Sequence, residues 1–598
     1  MKKQIIFLFA LMVASMLSAN NISVTNISLT GQNTTNDYAF VKFDISWENS
    51  WRNDISGAGN AVPYNWDAAW VFVKYKVNGN YVSASSASSS GTTITVTSTT
   101  GLRVGMPVSV TSGTGDFASG TVVTVITNST TFDVSATPTN ALSGAVVTGY
   151  AIWEHAILNS TGHTSPTAST ITSASDGTGI FIYRDANGTG TNTFTNTRLR
   201  WNYGTNGVAD NAIVDIQVFA IEMVFVPMDV FEIGSGGTGT SEFYKYPTSS
   251  NTFTINTESA ITVGTATGNL YYASSSYGGD QSGPIPSDFP KGYAAFYCMK
   301  YEISQKGYVD FLNTLTYTQQ AARTVSAPSS SAGTGALHAS NNARNGIDIQ
   351  IPGVNSTTPA VYACNIDGDG IYNESNDGQW IACDWLSWLD VAAFLDWSGL
   401  RPLTELEFEK SCRGTVSPLA DEFAWGSKSI VAATGISNAG YNYETASNSG
   451  ANACYFNAGT NGPLRVGSFA TGSSTRVQSG ATYYGIMEMS GNQWERTVTV
   501  GNIAGRSFRG VHGDGMLNKS GEATVDYWPG INGNSTLSTV NSTYGGITGV
   551  TGAAGVGYRG GFWGIVANYL RISDRTYTEY THTGRQNDWG GRGARTAN

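Results

Sequence analysis

The chain has 598 residues, of which 71 are Gly and 13% are charged, with a formal net charge of -11. That length admits two to four domains, and so much Gly with so little charge points to many turns and short strands, excluding an architecture dominated by long helices. The acidic balance and the absence of any Lys/Arg run exclude a nucleic-acid partner, because neutralising phosphate requires a basic face.

Residues 1–19 combine Lys2-Lys3, an apolar run over 5–17 and the small pair Ser18-Ala19. These are the three parts of a secretory signal peptide, so a secreted or cell-surface location is expected. The run is shorter than the ~20 apolar residues of a spanning helix, so no membrane span is expected after its removal. Five cysteines follow, Cys298, Cys364, Cys383, Cys412 and Cys454. An odd number in an exported chain leaves at least one thiol without an internal partner. Cys364 and Cys383 flank a single polar loop and are expected to pair as a disulfide at its base.

From 20 to about 82, apolar and polar residues alternate, as in Tyr38-Ala39-Phe40-Val41-Lys42-Phe43-Asp44-Ile45 and Val71-Phe72-Val73-Lys74-Tyr75. This is strand patterning with one buried face. It resumes over 149–220, so 20–82 and 149–220 read as one antiparallel β-sandwich. Between them, 83–148 shifts to Ser, Thr, Gly and Val. Short β-branched runs at 93–96, 108–110, 122–125 and 132–134 mark a small inserted β module. Residues 85–91 are open to a second reading as a Ser-rich loop.

The second domain is expected over 221–598. Met223-Val224-Phe225-Val226-Pro227 opens it, and Glu302-Ile303-Ser304 leads into Tyr308, Phe311 and Leu312, which share a helix face with Ser304 as N-cap. A second helix is expected through Trp385, Leu386, Leu389, Ala392, Ala393 and Trp397, ending at Gly399. A third begins at Thr404, where Thr404-Glu405-Leu406-Glu407 is a capping box. Ala424-Trp425-Gly426 follows. Tyr484-Gly485-Ile486-Met487-Glu488-Met489-Ser490-Gly491-Asn492-Gln493-Trp494-Glu495 places a Gly-Asn turn between carboxylates. The tail adds Tyr558-Arg559-Gly560-Gly561-Phe562-Trp563, Arg571 to Arg575 and Gly591-Arg592-Gly593-Ala594-Arg595.

In this order, these blocks resemble the formylglycine-generating enzyme or sulfatase-modifying factor family. Arg401-Pro402-Leu403-Thr404-Glu405-Leu406-Glu407 departs from its Arg-Leu-Pro-Thr-Glu-x-Glu pattern by inverting Leu and Pro. The resemblance implies an α+β, C-type-lectin-like fold for 221–598. It also implies a structural calcium ion, held by side-chain oxygens of Glu488 and Glu495 and by the carbonyls of Gly491 and Gln493. The competing reading is that Glu495 caps local amides with no ion.

Members that oxidise a sulfatase cysteine bind copper(I) through two cysteines just after the Arg-Gly-Gly-Ser-Trp element. Here no Cys follows Cys454. Carboxylate or imidazole does not replace a dithiolate for copper(I), so no copper is expected. Iron oxygenases of the same fold use three histidines, and the domain's three, His338, His512 and His582, lack the spacing. His512 beside Asp514 is the best placed.

Asn365, Asp367 and Asp369, with Gly370 after the third, look like the first half of a calcium loop. The closing Glu is missing, since Asn376 stands there with Asp377 adjacent. A polar surface loop closed by Cys364 and Cys383 is the competing reading. Trp388, Trp425 and Trp494 fit core positions better than a sugar-stacking surface. The function expected is a non-catalytic scaffold that binds a cell-surface or extracellular protein or glycan, or assembles with itself. An enzyme with other metal-dependent redox chemistry in the same cleft is the alternative.

Overall fold

Strands β1 (Ser23–Asn33), β2 (Tyr38–Asn53) and β3 (Asn65–Val77) open the chain. The computed structural model describes residues 21–597 except 56–61, 78, 80, 240, 274–276, 340–342, 355–356 and 531–548, so the signal segment expected at 1–19 lies outside the described residues. β2 keeps strict alternation, burying Val41, Phe43, Ile45 and Trp47 while Lys42 and Asp44 face outward. β3 does not. Its run Ala68-Ala69-Trp70-Val71-Phe72-Val73 is buried on both faces, as in a strand sandwiched between layers. The single buried face expected for this segment is thereby corrected.

One face of β3, with Ala69, Val71, Val73 and Tyr75, packs on β2 and on β5 (below) in a first core. The other, with Ala68, Trp70 and Phe72, belongs to a second and larger core. Strands β4 (Ile180–Arg184), β5 (Gly188–Trp201) and β6 (Val214–Val226) extend the sheet of β1, β2 and β3: β4 and β6 pair with β3, and β5 pairs with β2, all antiparallel.

β6 runs alongside β3 from Val214↔Val77 to Val224↔Asp67, and its far end also pairs with β7 (Phe296–Met299) at Met223↔Met299. The domain start expected at 221 therefore falls inside one continuous strand. Two further strands, β8 (Trp494–Val498) and β9 (Val556–Arg559), pair antiparallel in a separate small sheet. β10 (Gly593–Thr596) returns to pair with β7, so the main sheet extends from the first residues described to nearly the last.

Six strands between Tyr81 and Tyr150 form their own sheet around Ile94, Phe132 and Val147, with Tyr81 opposite Tyr150 at the neck. Residues 85–91 are largely strand, because Tyr81–Ser90 pairs with the neighbouring Thr93–Thr95.

Helix α1 (Gln305–Leu312) buries Tyr308, Phe311 and Leu312, and the Ser304 side chain accepts from the Gly307 amide. α2 (Tyr317–Arg323), capped by Thr316 and Gln319, was not legible in the apolar pattern. α3 (Trp388–Trp397) starts three residues after the expected Trp385, which lies at φ 60, outside helical geometry; Ser387 and Asp390 form its capping box. α4 (Glu405–Arg413) carries the expected Thr404/Glu407 box. Among the described residues no helix is long and apolar enough to cross a membrane.

The expected Cys364–Cys383 disulfide is absent, and all five cysteines are free and buried. Backbone hydrogen bonds anchor the two ends of the 364–383 loop to neighbouring segments, from the Asn365 amide to Gly346 at 2.8 Å and from the Cys383 amide to Ile303 at 2.7 Å. The base of the loop is fixed without a covalent tie.

A fragment beginning at 221 strips β3 from β6 and uncovers the face of the large core that Trp70 and Phe72 fill. Expressed alone, it is expected to lack a cooperative thermal transition by circular dichroism. A sharp transition in the fragment at the midpoint of the whole chain would contradict this.

Candidate functional site

The turn at 490–492 is built on two left-handed residues, Gly491 at φ 98 and Asn492 at φ 68. A Cβ on Gly491 would stand 2.6 Å from the Cys454 carbonyl oxygen, so the close approach requires glycine. The Asn492 side chain accepts from the Leu464 amide at 2.8 Å and donates to Glu302 at 2.5 Å, while the Gln493 amide donates to the other Glu302 oxygen at 3.0 Å. The turn thus aims its donors at one buried carboxylate from the β7–α1 connection.

Glu495, on β8, is fully buried, and each of its oxygens accepts from Arg592 at 2.6 Å. Arg592 also donates to the carbonyls of Met299 at 3.0 Å and Met487 at 2.8 Å. Glu488, at φ 57, accepts from the Gly467 amide at 2.8 Å, and its second oxygen has no partner. Glu488, Gly491, Gln493 and Glu495 do not fit the calcium cage that the resemblance implies. Both Glu495 oxygens are committed to a guanidinium, whose fixed charge opposes a divalent ion beside it.

Beyond β8 lies an aromatic basin. Trp494, Tyr558 and Trp589 form its buried floor, and Phe562, Ile565, Tyr569, Tyr577 and Tyr580 pack half-buried against it. Tyr277, 43% exposed, stacks on Tyr577 with centroids 5.8 Å apart and meets Tyr580 edge-on at 4.8 Å. The Arg496 guanidinium sits 4.0 Å from the Tyr558 centroid and donates to the carbonyls of Tyr580 and His582. Three buried polar atoms here have no partner: the Tyr558 hydroxyl, Arg496 Nε and Asp588 Oδ1. Burial pushes the Asp588 carboxyl up to about 6. Tyr577, Tyr580 and Trp589 were passed over in the sequence; the closely spaced tyrosines after Arg575 were the available signal.

Much of this basin comes from the segment after Gly561, which contains no Cys. Cys454 is buried, with Sγ 3.5 Å from the Thr460 hydroxyl, and burial pushes its thiol up to about 12. Cys298 is likewise raised to about 12 by burial. Such thiols hold their protons and are poor nucleophiles and metal ligands.

The histidines are dispersed in role. His338 lies against Trp385 with centroids 4.5 Å apart, and the exposed His582 accepts from the Gly584 amide at 2.9 Å. His512 accepts from the Thr596 amide at 3.0 Å and lies 3.8 Å from Asp176; burial, with Arg595 and Arg401 nearby, pushes it down to about 2. His512 and Asp514 do not act as a pair. Asp514 faces Asp396 and Lys74, and the two residues line a cavity of about 740 Å³ between the sandwich, the inserted module and the large core. Asn365 turns inward onto Asp348 at 3.0 Å, whereas Asp367 and Asp369 meet Glu374. The oxygen trio expected in that loop therefore exchanges its first member. Trp388, Trp425 and Trp494 are buried, as their core assignment required.

Residues 249–597 match the family model of the sulfatase-modifying factor enzyme 1-like domain, which spans more than half of the chain. No curated protein matches the chain.

The Glu488 site makes its own pH prediction. Burial pushes this carboxyl up to about 7, above the roughly 4.3 of an unfolded Glu. The folded state therefore binds the proton more tightly, and stability falls as pH rises from about 4.5 to about 7. Glu488→Gln is expected to exceed the parent at pH 8 by about 1–3 kcal/mol in urea unfolding and to converge with it near pH 4. A variant less stable than the parent at pH 8 would instead indicate a cation held by this carboxylate.

Proposed function

Because the chain belongs to the sulfatase-modifying factor family, we propose that it uses this domain as an exported, non-catalytic binding scaffold. The observation that carries the reading is the segment after Gly561. Where oxidising relatives place two thiols, this chain has no Cys between Phe562 and Arg575, and Phe562, Ile565 and Tyr569 of that stretch pack in the aromatic basin. The signal-like residues 1–19 support export to the cell surface or medium.

The basin is the contact surface in this reading. The half-buried rings of Tyr577 and Tyr580, with the exposed Tyr277 packed on them, bind apolar faces of sugars or side chains of an extracellular partner. The continuous sheet from β1 to β10 makes the sandwich and the family domain one rigid support for it.

The test is fractionation of the producing cells followed by release of the bound protein. The processed chain is expected in the envelope or medium, and Tyr577→Ala combined with Tyr580→Ala is expected to free the envelope-bound fraction while leaving the circular dichroism spectrum unchanged. An unprocessed chain in the cytosol would overturn the export, and undiminished attachment of the folded variant would overturn the role of the basin.

A further inference from the structure

The loop between Cys364 and Cys383 contains no Lys, Arg or His in its sequence Asn-Ile-Asp-Gly-Asp-Gly-Ile-Tyr-Asn-Glu-Ser-Asn-Asp-Gly-Gln-Trp-Ile-Ala. It brings oxygen atoms of Asp367, Asp369 and Glu374 within 4.8 Å of one another. Among the described residues this is the only group of three or more His, Cys, Asp or Glu side chains so placed, and no basic side chain forms an ion pair with any of the three. An acidic cluster on a surface is common without an ion. Here a second observation points inward.

Asp377 is fully buried behind the cluster. One of its oxygens accepts from the Glu374 amide at 2.7 Å, which fixes the carboxylate against the residue that completes the cluster, and the other, Oδ1, has no partner. The Gln379 side chain repeats the pattern: it donates to the Glu374 carbonyl at 2.5 Å and leaves its own buried oxygen unpaired. Two buried side-chain oxygens thus lack a partner, each on a residue bonded to the backbone of Glu374, and such oxygens call for a cation or a donor.

We propose that this loop binds one calcium ion through Asp367, Asp369 and Glu374, with the buried Asp377 carboxylate as its inner support. The donor set is all oxygen, which selects a hard cation. A mostly exposed loop with several acidic oxygens suits the variable six-to-eight coordination of calcium better than the strict octahedron of magnesium. Asn365 is not a ligand, since its side chain is spent on Asp348 and on the Gly370 amide. The ion would tie the loop tip to the 374–379 segment, which is anchored to the large core through the Gly378 amide on Gly440 and the Lys306 amide on Gln379. The proposal is independent of the scaffold reading and stands or falls on its own.

The test is isothermal titration of calcium into the full chain after chelator washing. One ion per chain is expected, with a dissociation constant on the order of 10⁻⁴ M, in the range of extracellular modules. Asp369→Asn combined with Glu374→Gln is expected to abolish the binding, and Asp377→Asn to weaken it at least about tenfold. In the unsubstituted chain, calcium is expected to slow amide hydrogen exchange over 366–378. No heat at 5 mM calcium (an order-of-magnitude ceiling above the module range), unchanged exchange over 366–378, or undiminished affinity in the folded double variant would each overturn the assignment.

Discussion

The paired hydrogen bonds between Arg592 and Glu495 are the contact on which the centre of the family domain depends. Both partners are almost wholly buried, and the fork of the guanidinium meets the carboxylate edge-on at 2.6 Å twice. The remaining donors of Arg592 hold the carbonyls of Met299 and Met487, so one side chain from the tail ties together β7, the 484–497 turn and β8. Breaking such a pair by removing one partner costs about 3–5 kcal/mol, because the other charge is left buried. The same arrangement recurs around α4, where Glu405 accepts from both Arg559 and Arg575 and Arg401 grips Glu407. These pairs fix the position of irregular segments that no ladder of backbone bonds could hold.

That constraint also determines what the turn can do. With the charge of Glu495 satisfied by a side chain, the turn needs no ion to stay closed. Glu302 is likewise saturated, by Asn492 and the Gln493 amide. The machinery of the motif is thus spent on holding β8, whose buried residues Trp494 and Arg496 pack beneath the aromatic basin. Structure flows from the buried pair to the strand, and from the strand to the aromatic cluster packed on it. On the opposite side, Trp70 of β3 donates to the Ser398 carbonyl at the end of α3, locking the sandwich to the same body.

Much of the fold was legible because its signals are local. Ser304, Thr404 and Gly399 act within one helical turn, and the strands of the inserted module follow from β-branched runs between glycines. The features missed depend on distance in sequence. Whether Ala68 to Val73 has one or two covered faces is decided by α3, more than 300 residues later, and the partner of Glu495 lies 97 residues away. Cys364 and Cys383 flank one polar loop in sequence but remain thiols, and each end of that loop is held by its own backbone bond to a neighbouring segment. At the loop itself, the alternating Asn365, Asp367 and Asp369 identified the segment, but the inward turn of Asn365 and the arrival of Glu374 depended on packing against Asp348.

The central claim is that this member of the family has exchanged redox chemistry for binding. The most direct test is native mass spectrometry of the chain purified from its own cells grown with ample copper and iron. The expected spectrum shows the chain without stoichiometric copper or iron. One copper or iron ion per chain, retained through purification and lost with the aromatic basin residues substituted, would contradict the claim.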